Sequence, residues 1–494
     1  MPQTQKKSAF LGPAYTEPSA MLSLNQCINL YPEIIARETP KGTTKEVGAL
    51  VQVPGISTAK VTLATSPVRP GGLHIQGATN LFVVSGNKLY LVNGSYSPTT
   101  LGTLGTSSGP VQMMANHSQV GVVDGTSNIY VYNYVIPSFS TVALPSGAPA
   151  NACCMLNEFG LVNQTPATKT IWQSNLNDLT TWNPLNFAAA DSLEDYLVGF
   201  AELHNQLYVF KERHIEVWAN AGVAGFTFQR IPGVLPEVGC INCNTIAKAA
   251  DSLLWLGQDQ AGAAAIYRIN GYEAKRVSTY AIDTTIAAYR SQWNNAFAMT
   301  YMHNGHSFYI ITWPGISPYG VSWCLDLTAT DQLGYPIWHQ RAGWSTFYQT
   351  FTQFTAAYCA APFGPNGLPV IGDYYTGALY ELDPTLTTDS GFARRWLRSW
   401  RANPVFDMQD NPIRCLEIQY DSQGASGNFN LRKSTDGTTW STQSLTAAFG
   451  PVGKRARFNR LGSSMRGAQS DWVFELSSTD PALMQLQAAW INQG

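Results

Sequence analysis

From about residue 73 onward the chain keeps to one pattern. Short apolar runs rich in Val, Ile, Leu and aromatics pair across turns of Gly, Asn or Asp, which is the mark of β-hairpins. The pairs are Leu81 to Val92 around Gly86-Asn87, Val120 to Tyr134 around Asp124-Gly125, and Leu203 to Trp218 turning at Lys211 to Arg213. They continue with Leu253 to Ile269 around Gly257, His306 to Leu327 around Pro314-Gly315, and Val370 to Leu382 around Gly372-Asp373. One wider gap has room for a further hairpin, Cys154 to Trp172. Paired strands recurring every roughly 40 to 60 residues predict the blades of a β-propeller, six or seven of them. A large β-sandwich or several small sheets would be the competing arrangement. Helical periodicity is confined to Ser192 to Val198 and Ile282 to Tyr289, while Leu483 to Ile491 suits a short helix or a last strand.

The pattern is different at both ends. Residues 1–72 carry many breakers, among them Pro13, Pro18, Pro32, Pro40, Pro54 and Gly55, and read as an extended arm with first strands rather than a self-supporting domain. A boundary falls near 385–395. Beyond it the alternation is strict in Cys415 to Tyr420, Phe429 to Leu431 and Trp472 to Leu476, so residues 391–494 are expected to form a β-sandwich after a propeller over 73–390. The fold class is therefore all-β.

Composition sharpens this picture. With 42 Gly, 28 Pro, 14 Trp, 23 Tyr and 21 Phe the chain is too aromatic for disorder and too rich in breakers for a helical bundle. Charged residues are only 13%, about half the usual share, which suits a body enclosed by neighbours. Net charge is −2, yet residues 391–470 hold 12 Lys and Arg against 5 Asp and Glu. This basic segment supplies the candidate partner-interface residues: Arg394, Arg395, Arg398, Arg401, Lys454, Arg455, Arg457, Arg460 and Arg466. Trp396, Trp400 and Phe458 interleave with them. Arginine with aromatics can grip phosphates and bases, but the same mixture is enriched where proteins meet, and a protein partner is the favoured reading. No run approaches the ~18 apolar residues of a membrane helix, and no apolar stretch follows the basic start, so the protein is expected to be made and kept in the cytoplasm or to leave it by a route other than secretion.

Candidate chemistry is sparse. Cys240-Ile-Asn-Cys243 has the spacing of half a zinc site or a redox pair, but Cys153-Cys154 is too tight to complete a chelate, and inert thiols are the expectation. His303-Asn-Gly-His306 reads first as a turn. Glu202 with His204, and His214 with Glu216, could share a strand face. The carboxylates Glu194, Asp195, Glu202, Glu216, Asp326 and Asp373 offer no spacing that selects a glycoside-cleaving pair. Ser434-Thr-Asp-Gly-Thr-Thr-Trp440 resembles the Asp-box of sialidase-type propellers, which is a structural hairpin turn. No catalytic, cofactor or metal site is expected.

One resemblance runs through nearly the whole chain. Cys27-Ile-Asn-Leu-Tyr-Pro-Glu33, followed by Val53-Pro-Gly-Ile56, resembles the opening of the tail-hub (nozzle) proteins of short-tailed phages, also called packaged-DNA stabilisation proteins. In the same order come Trp172 to Asp178 with Trp182, His214-Ile-Glu-Val-Trp218, Trp255-Leu-Gly257, and Tyr267 through Arg276-Val-Ser-Thr279 to Ile282. Gly305 to Ile310 with Trp313-Pro314, Trp323 to Asp326, Trp338-His339, Arg457 to Gly462 and Phe474 to Pro481 continue it. Cys324 departs from an expected aromatic or Val, and Asn459 from an expected aromatic or Arg. The resemblance implies a propeller with a terminal β domain and a homohexameric ring below the portal and its adaptor. The ring would retain packaged DNA and let it pass on ejection, touching the duplex only transiently. A tail fibre, tailspike or needle protein would attach outside. Such a protein would be assembled in the host cytoplasm and reside in the virion tail. A tail-associated glycan hydrolase and a fibre-anchoring or receptor-binding module are the alternatives. On the hub reading the basic cluster faces a protein, and the neutral-to-acidic surface of residues 1–390 contributes to the lumen.

Overall fold

Strands that are buried on both faces need apolar residues at every position, and the continuous runs found in the sequence are strands of that kind. In the computed structural model Leu81 to Val84 and Val120 to Val123 are buried throughout, because each lies in the second strand of a sheet stacked between two others. Outermost strands such as Pro98–Thr103 are polar and exposed. The structure describes residues 4–7, 10–16, 24–39, 42–77, 79–249, 251–316, 320–330, 334–401, 413–434, 436–451, 455–459, 461 and 472–493.

Seven antiparallel sheets follow one another along the chain, at 68–103, 112–143, 153–189, 197–230, 239–276, 297–340 and 356–383. Apolar residues fill the interfaces between neighbours, and the filling between the fifth and sixth sheets is continuous with the core of the terminal body. Phe82 and Val84 of the first sheet meet Val120 and Val122 of the second, and Phe210 of the fourth stacks edge-on against Trp255 of the fifth. The last interface sets Val370 and Leu379 of the seventh sheet against Leu81 and Val83 of the first, which closes the ring. The seventh sheet has only three strands of its own; the early strands Val61–Thr62 and Gly55–Ile56 pair with Ala378–Asp383 to finish it. This is the β-propeller expected from the hairpin pattern.

Several local expectations change. Gly257 is not a turn: it lies inside Ser252–Gln258, where a side chain would run into the Gly239 carbonyl, and the turn falls at Asp259 to Ala263. Gly372 likewise sits within Leu368–Asp373. Ser192 to Val198 is not helical, because the Ser192 hydroxyl and amide are drawn to Glu216 before the strand Leu197–Leu203 begins. The expected helix near 282 is present as Tyr280–Ala288, capped by Thr279, and the chain end is a strand, Gln485–Gln493.

Both chain ends build the terminal body. One sheet orders Arg455–Asn459, Ile413–Asp421, Gln485–Gln493, Gly42–Gln52 and Leu30–Thr39, with Thr4–Lys7 also paired to Gln485–Gln493. A second runs Cys27–Ile28, Trp396–Arg401, Val473–Ser478, Gly427–Ser434 and Leu445–Phe449. The two face each other across one core, where Tyr420 of the first meets Phe429 and Phe449 of the second at 5.2 and 5.8 Å between ring centroids. The second sheet is continuous with the sixth blade, through the parallel pairing of Gln340 with Ile28. Among the described residues no helix is long and apolar enough to cross a membrane.

Candidate functional site

The arginines that the sequence groups into one basic segment are dispersed by the fold. Strand Trp396–Arg401 alternates its side chains, and Trp396 and Trp400 pack on Phe429 and Phe474 in the terminal core. Arg398, on the same face as these two rings, is fully buried and donates from Nε to the Phe10 carbonyl at 2.8 Å and from Nη1 to those of Pro13 and Gln26 at 3.3 Å. Burial lowers its pKa, and burial also pushes the neighbouring Cys27 thiol up to about 11. The Arg and Trp alternation is thus core packing with an inward cation clamped by carbonyls, not a surface for stacking bases.

Arg394 also points inward. It donates to the Pro54 carbonyl at 2.8 Å and lies 3.6 Å from Asp389. Desolvation pulls it down to about 10, although Asp389 opposes the shift. Asp389 is the hub of this seam: Arg341 grips it with two hydrogen bonds of 2.8 and 2.9 Å and also reaches Asn29. Burial alone would raise the Asp389 carboxyl, but Arg341 and Arg394 hold it below the ordinary range. Arg394 and Arg398 therefore have no free face for a partner.

Arg395 is partly open. Its Nη2 donates to Glu475 at 3.1 Å and Ser477 at 3.0 Å, and its guanidinium lies over the rings of Trp344 and Phe351. Arg432 holds the same Glu475 from Nε and Nη2, at 2.9 and 2.7 Å. Arg401 is half-buried at the strand end. Arg455 and Arg457 stand on the outward face of the edge strand Arg455–Asn459, each 51% exposed and 3.6 Å from Glu417. Lys454, Arg460 and Arg466 lie outside the described residues. Arg341, Asp389, Arg432 and Glu475 gave no sequence signal, because their partners lie 43 to 312 residues away along the chain.

The remaining candidates are used structurally. Asn304-Gly305 makes the turn between the two histidines with φ of 48° and 83°. His306 then places Nδ1 2.7 Å from Asp326 and Nε2 3.2 Å from Glu33, joining the sixth blade to the first terminal hairpin, Leu30–Thr39 with Gly42–Gln52. The Asp326 hydrogen bond raises its pKa against the effect of burial, whereas burial pushes His303 down to about 4. Lys211, fully buried, binds Asp195 at 2.8 Å and lies 3.5 Å from Glu216, whose other oxygen accepts from Trp218 at 3.0 Å. Glu202 pairs with Lys248 at 2.6 Å. Cys240 and Cys243 are buried free thiols, both raised by desolvation. The Asp-box-like segment is a turn in which the Asp436 carboxylate accepts from the amides of Thr438 and Thr439 at 2.8 and 2.7 Å, with Gly437 at φ 72°. No group of three or more His, Cys, Asp or Glu gathers to hold a metal among the described residues.

The architecture is a closed propeller joined to terminal β sheets, with Arg341, Asp389, Arg398 and His306 holding the parts together. The family profile described as "Bacteriophage P22 Gp10, beta-propeller" matches residues 27–387, and the chain belongs to that family of phage packaged-DNA stabilisation proteins. A search of curated proteins finds no match. Among solved structures, a chain of "Crystal Structure of Mitotic Checkpoint Complex" aligns at 12% identity and TM-score 0.40, over 66% of this chain and 92% of that one. The extracellular domain of the putative hybrid two component system BT4673 from B. thetaiotaomicron aligns at 10% identity and TM-score 0.41, over 83% of this chain and 48% of that one. Likenesses this distant carry no functional argument.

Proposed function

We propose that this phage structural protein is the tail hub, six copies forming a ring beneath the portal and its adaptor whose joint channel retains the packaged genome and passes it on ejection. The observation that carries this reading is the membership of the phage stabilisation family across residues 27–387, on a body closed by its own early strands. A conduit must resist internal pressure without gripping DNA. A ring of sheets packed by apolar residues at their interfaces is stiff, and a groove of many free phosphate-binding cations would slow the duplex. Here Arg394 and Arg398 are turned inward, so the basic segment contributes little to such a groove. Among the described residues of this segment Arg455 and Arg457 are the most exposed arginines, on an edge strand, and on this reading they meet a protein neighbour in the tail, the adaptor or an attached fibre, tailspike or needle.

The test is imaging of intact virions carrying a tag at the amino terminus of this chain. Six labels around the tail axis directly below the portal are expected. Three-fold or scattered peripheral labels would sink the hub reading, and so would their absence. The double substitution Arg455→Gln with Arg457→Gln is expected to cut incorporation into virions several-fold while leaving the fold intact by circular dichroism; unchanged incorporation would remove these residues from the interface.

A further inference from the structure

A cleft of about 460 Å³ opens where the sixth blade passes into the terminal sheet. Arg341, Arg395 and Arg432 line it against a single carboxylate, Glu475. The charges behind the wall do not restore the balance. Arg341 shares Asp389 with Arg394, just as Arg395 shares Glu475 with Arg432, so in each set two guanidiniums meet one carboxylate. Positive charge is left over in a concave, partly buried recess, where it acts more strongly than on a flat open surface.

The cations are also held in place before any ligand arrives. Trp344 and Phe351 belong to the hairpin Ala342–Ser345 with Thr350–Gln353, and the Arg395 guanidinium lies 4.9 and 5.5 Å from their ring centroids. Arg432 is fixed over Trp440 at 5.3 Å. Arg395 meets Glu475 through Nη2 only, and Arg432 meets it through Nε and Nη2. Thr350 lends the lining a buried hydroxyl oxygen that has no hydrogen-bond partner. Ordered guanidiniums with unspent donors, beside an unsatisfied hydroxyl, form a site for a planar oxyanion.

We propose that this cleft is a carboxylate-binding site that receives an acidic peptide segment of a partner protein. Convergence favours a peptide over a nucleic acid. A strand carries phosphates along a track, and proteins that follow one space their cations along a groove with aromatics for the bases. The Arg395 and Arg432 guanidiniums instead converge on one carboxylate in the recess, the aromatic faces beside it are already covered by Arg395, and Gln26, Gln340 and Gln349 line its walls with amides suited to a peptide backbone.

The experiment uses the full chain and a fluorescently labelled peptide of alternating Asp and Glu, followed by anisotropy at low salt, with the Asn and Gln peptide as control. Saturable binding is expected, at least tenfold weaker for the neutral peptide and at least tenfold weaker for Arg432→Gln. Lys88→Gln, on the strand Lys88–Asn93 of the first blade and outside the lining of the cleft, should bind as the parent does. Glu475→Gln removes the competing carboxylate and is expected to tighten binding several-fold, a gain that damage to the fold would not produce. No saturable binding, equal weakening by Lys88→Gln, or weaker binding by Glu475→Gln would each overturn the proposal. So would a single-stranded oligonucleotide that binds the cleft when the acidic peptide does not.

Discussion

At the scale of single residues, the arginines are the main lesson. The sequence shows a run of cations beside Trp396 and Trp400 and supports a basic surface, because local spacing says nothing of which way a side chain turns once two sheets close over it. The fold turns Arg394 and Arg398 inward, where they donate to the carbonyls of Pro54 and Phe10, residues of the early part of the chain. The carboxylate that matters most, Asp389, is legible only as part of a turn-rich linker. Its two buried arginine partners make a prediction direct: Asp389→Asn leaves Arg341 and Arg394 without a counter-ion and should cost about 3–5 kcal/mol in denaturant unfolding. A loss below about 1 kcal/mol would mean that the seam is not a folding determinant.

At the scale of elements, the hairpins were legible because a strand buried on both faces has no polar positions to confuse the pattern, as Leu81 to Val84 shows. The cross-chain strands were not. Leu30–Thr39 and Gly42–Gln52 look like an arm because their partners, Gln485–Gln493 and the sixth blade, lie elsewhere in the sequence. His306 fastens this hairpin to the blade, with Glu33 and Asp326 facing its ring nitrogens and His303, His339 and Tyr31 around it. Its pKa is raised above 6.5 by the Asp326 hydrogen bond, so its stabilisation is complete below that pH and fades as pH climbs through the higher folded value. Asp326 is depressed, and its share is lost on the acid side instead. His306→Gln is therefore expected to flatten the decline of the urea midpoint as pH rises above about 6.5. A mutant with the parent's slope would show that the tether is not protonated.

At the scale of the molecule, one sheet crosses from propeller to terminal body. Gln340 pairs with Ile28, and Cys27–Ile28 pairs in turn with Trp396–Arg401, so the sixth blade cannot loosen without disturbing the terminal core. Arg341, Asp389 and Arg394 lie in the same seam. Multi-domain chains often unfold in steps, but parts that share a sheet should unfold together. A single calorimetric transition is expected, and Asp389→Asn should split or broaden it. Two well-separated transitions in the parent would contradict the continuity of that sheet. The class of fold was readable from hairpin recurrence; the knitting of both chain ends into one body was not, since it depends on contacts between positions hundreds of residues apart.

That knitting has a consequence for how the protein is made. Thr4 pairs with Gln493, and the seventh blade is finished by Val61–Thr62. At about 5–20 residues per second, a ribosome needs tens of seconds to pass from the first of these partners to the last. Until then Thr4–Lys7 and Val61–Thr62 have no mates, and the growing chain holds exposed edges open to a sister chain on the same message. The polar, breaker-rich character of the first residues, with Lys6, Lys7, Pro13 and Pro18, suits a segment that must stay soluble and uncommitted while it waits. Translation, rather than any ligand, sets the moment at which the ring can close.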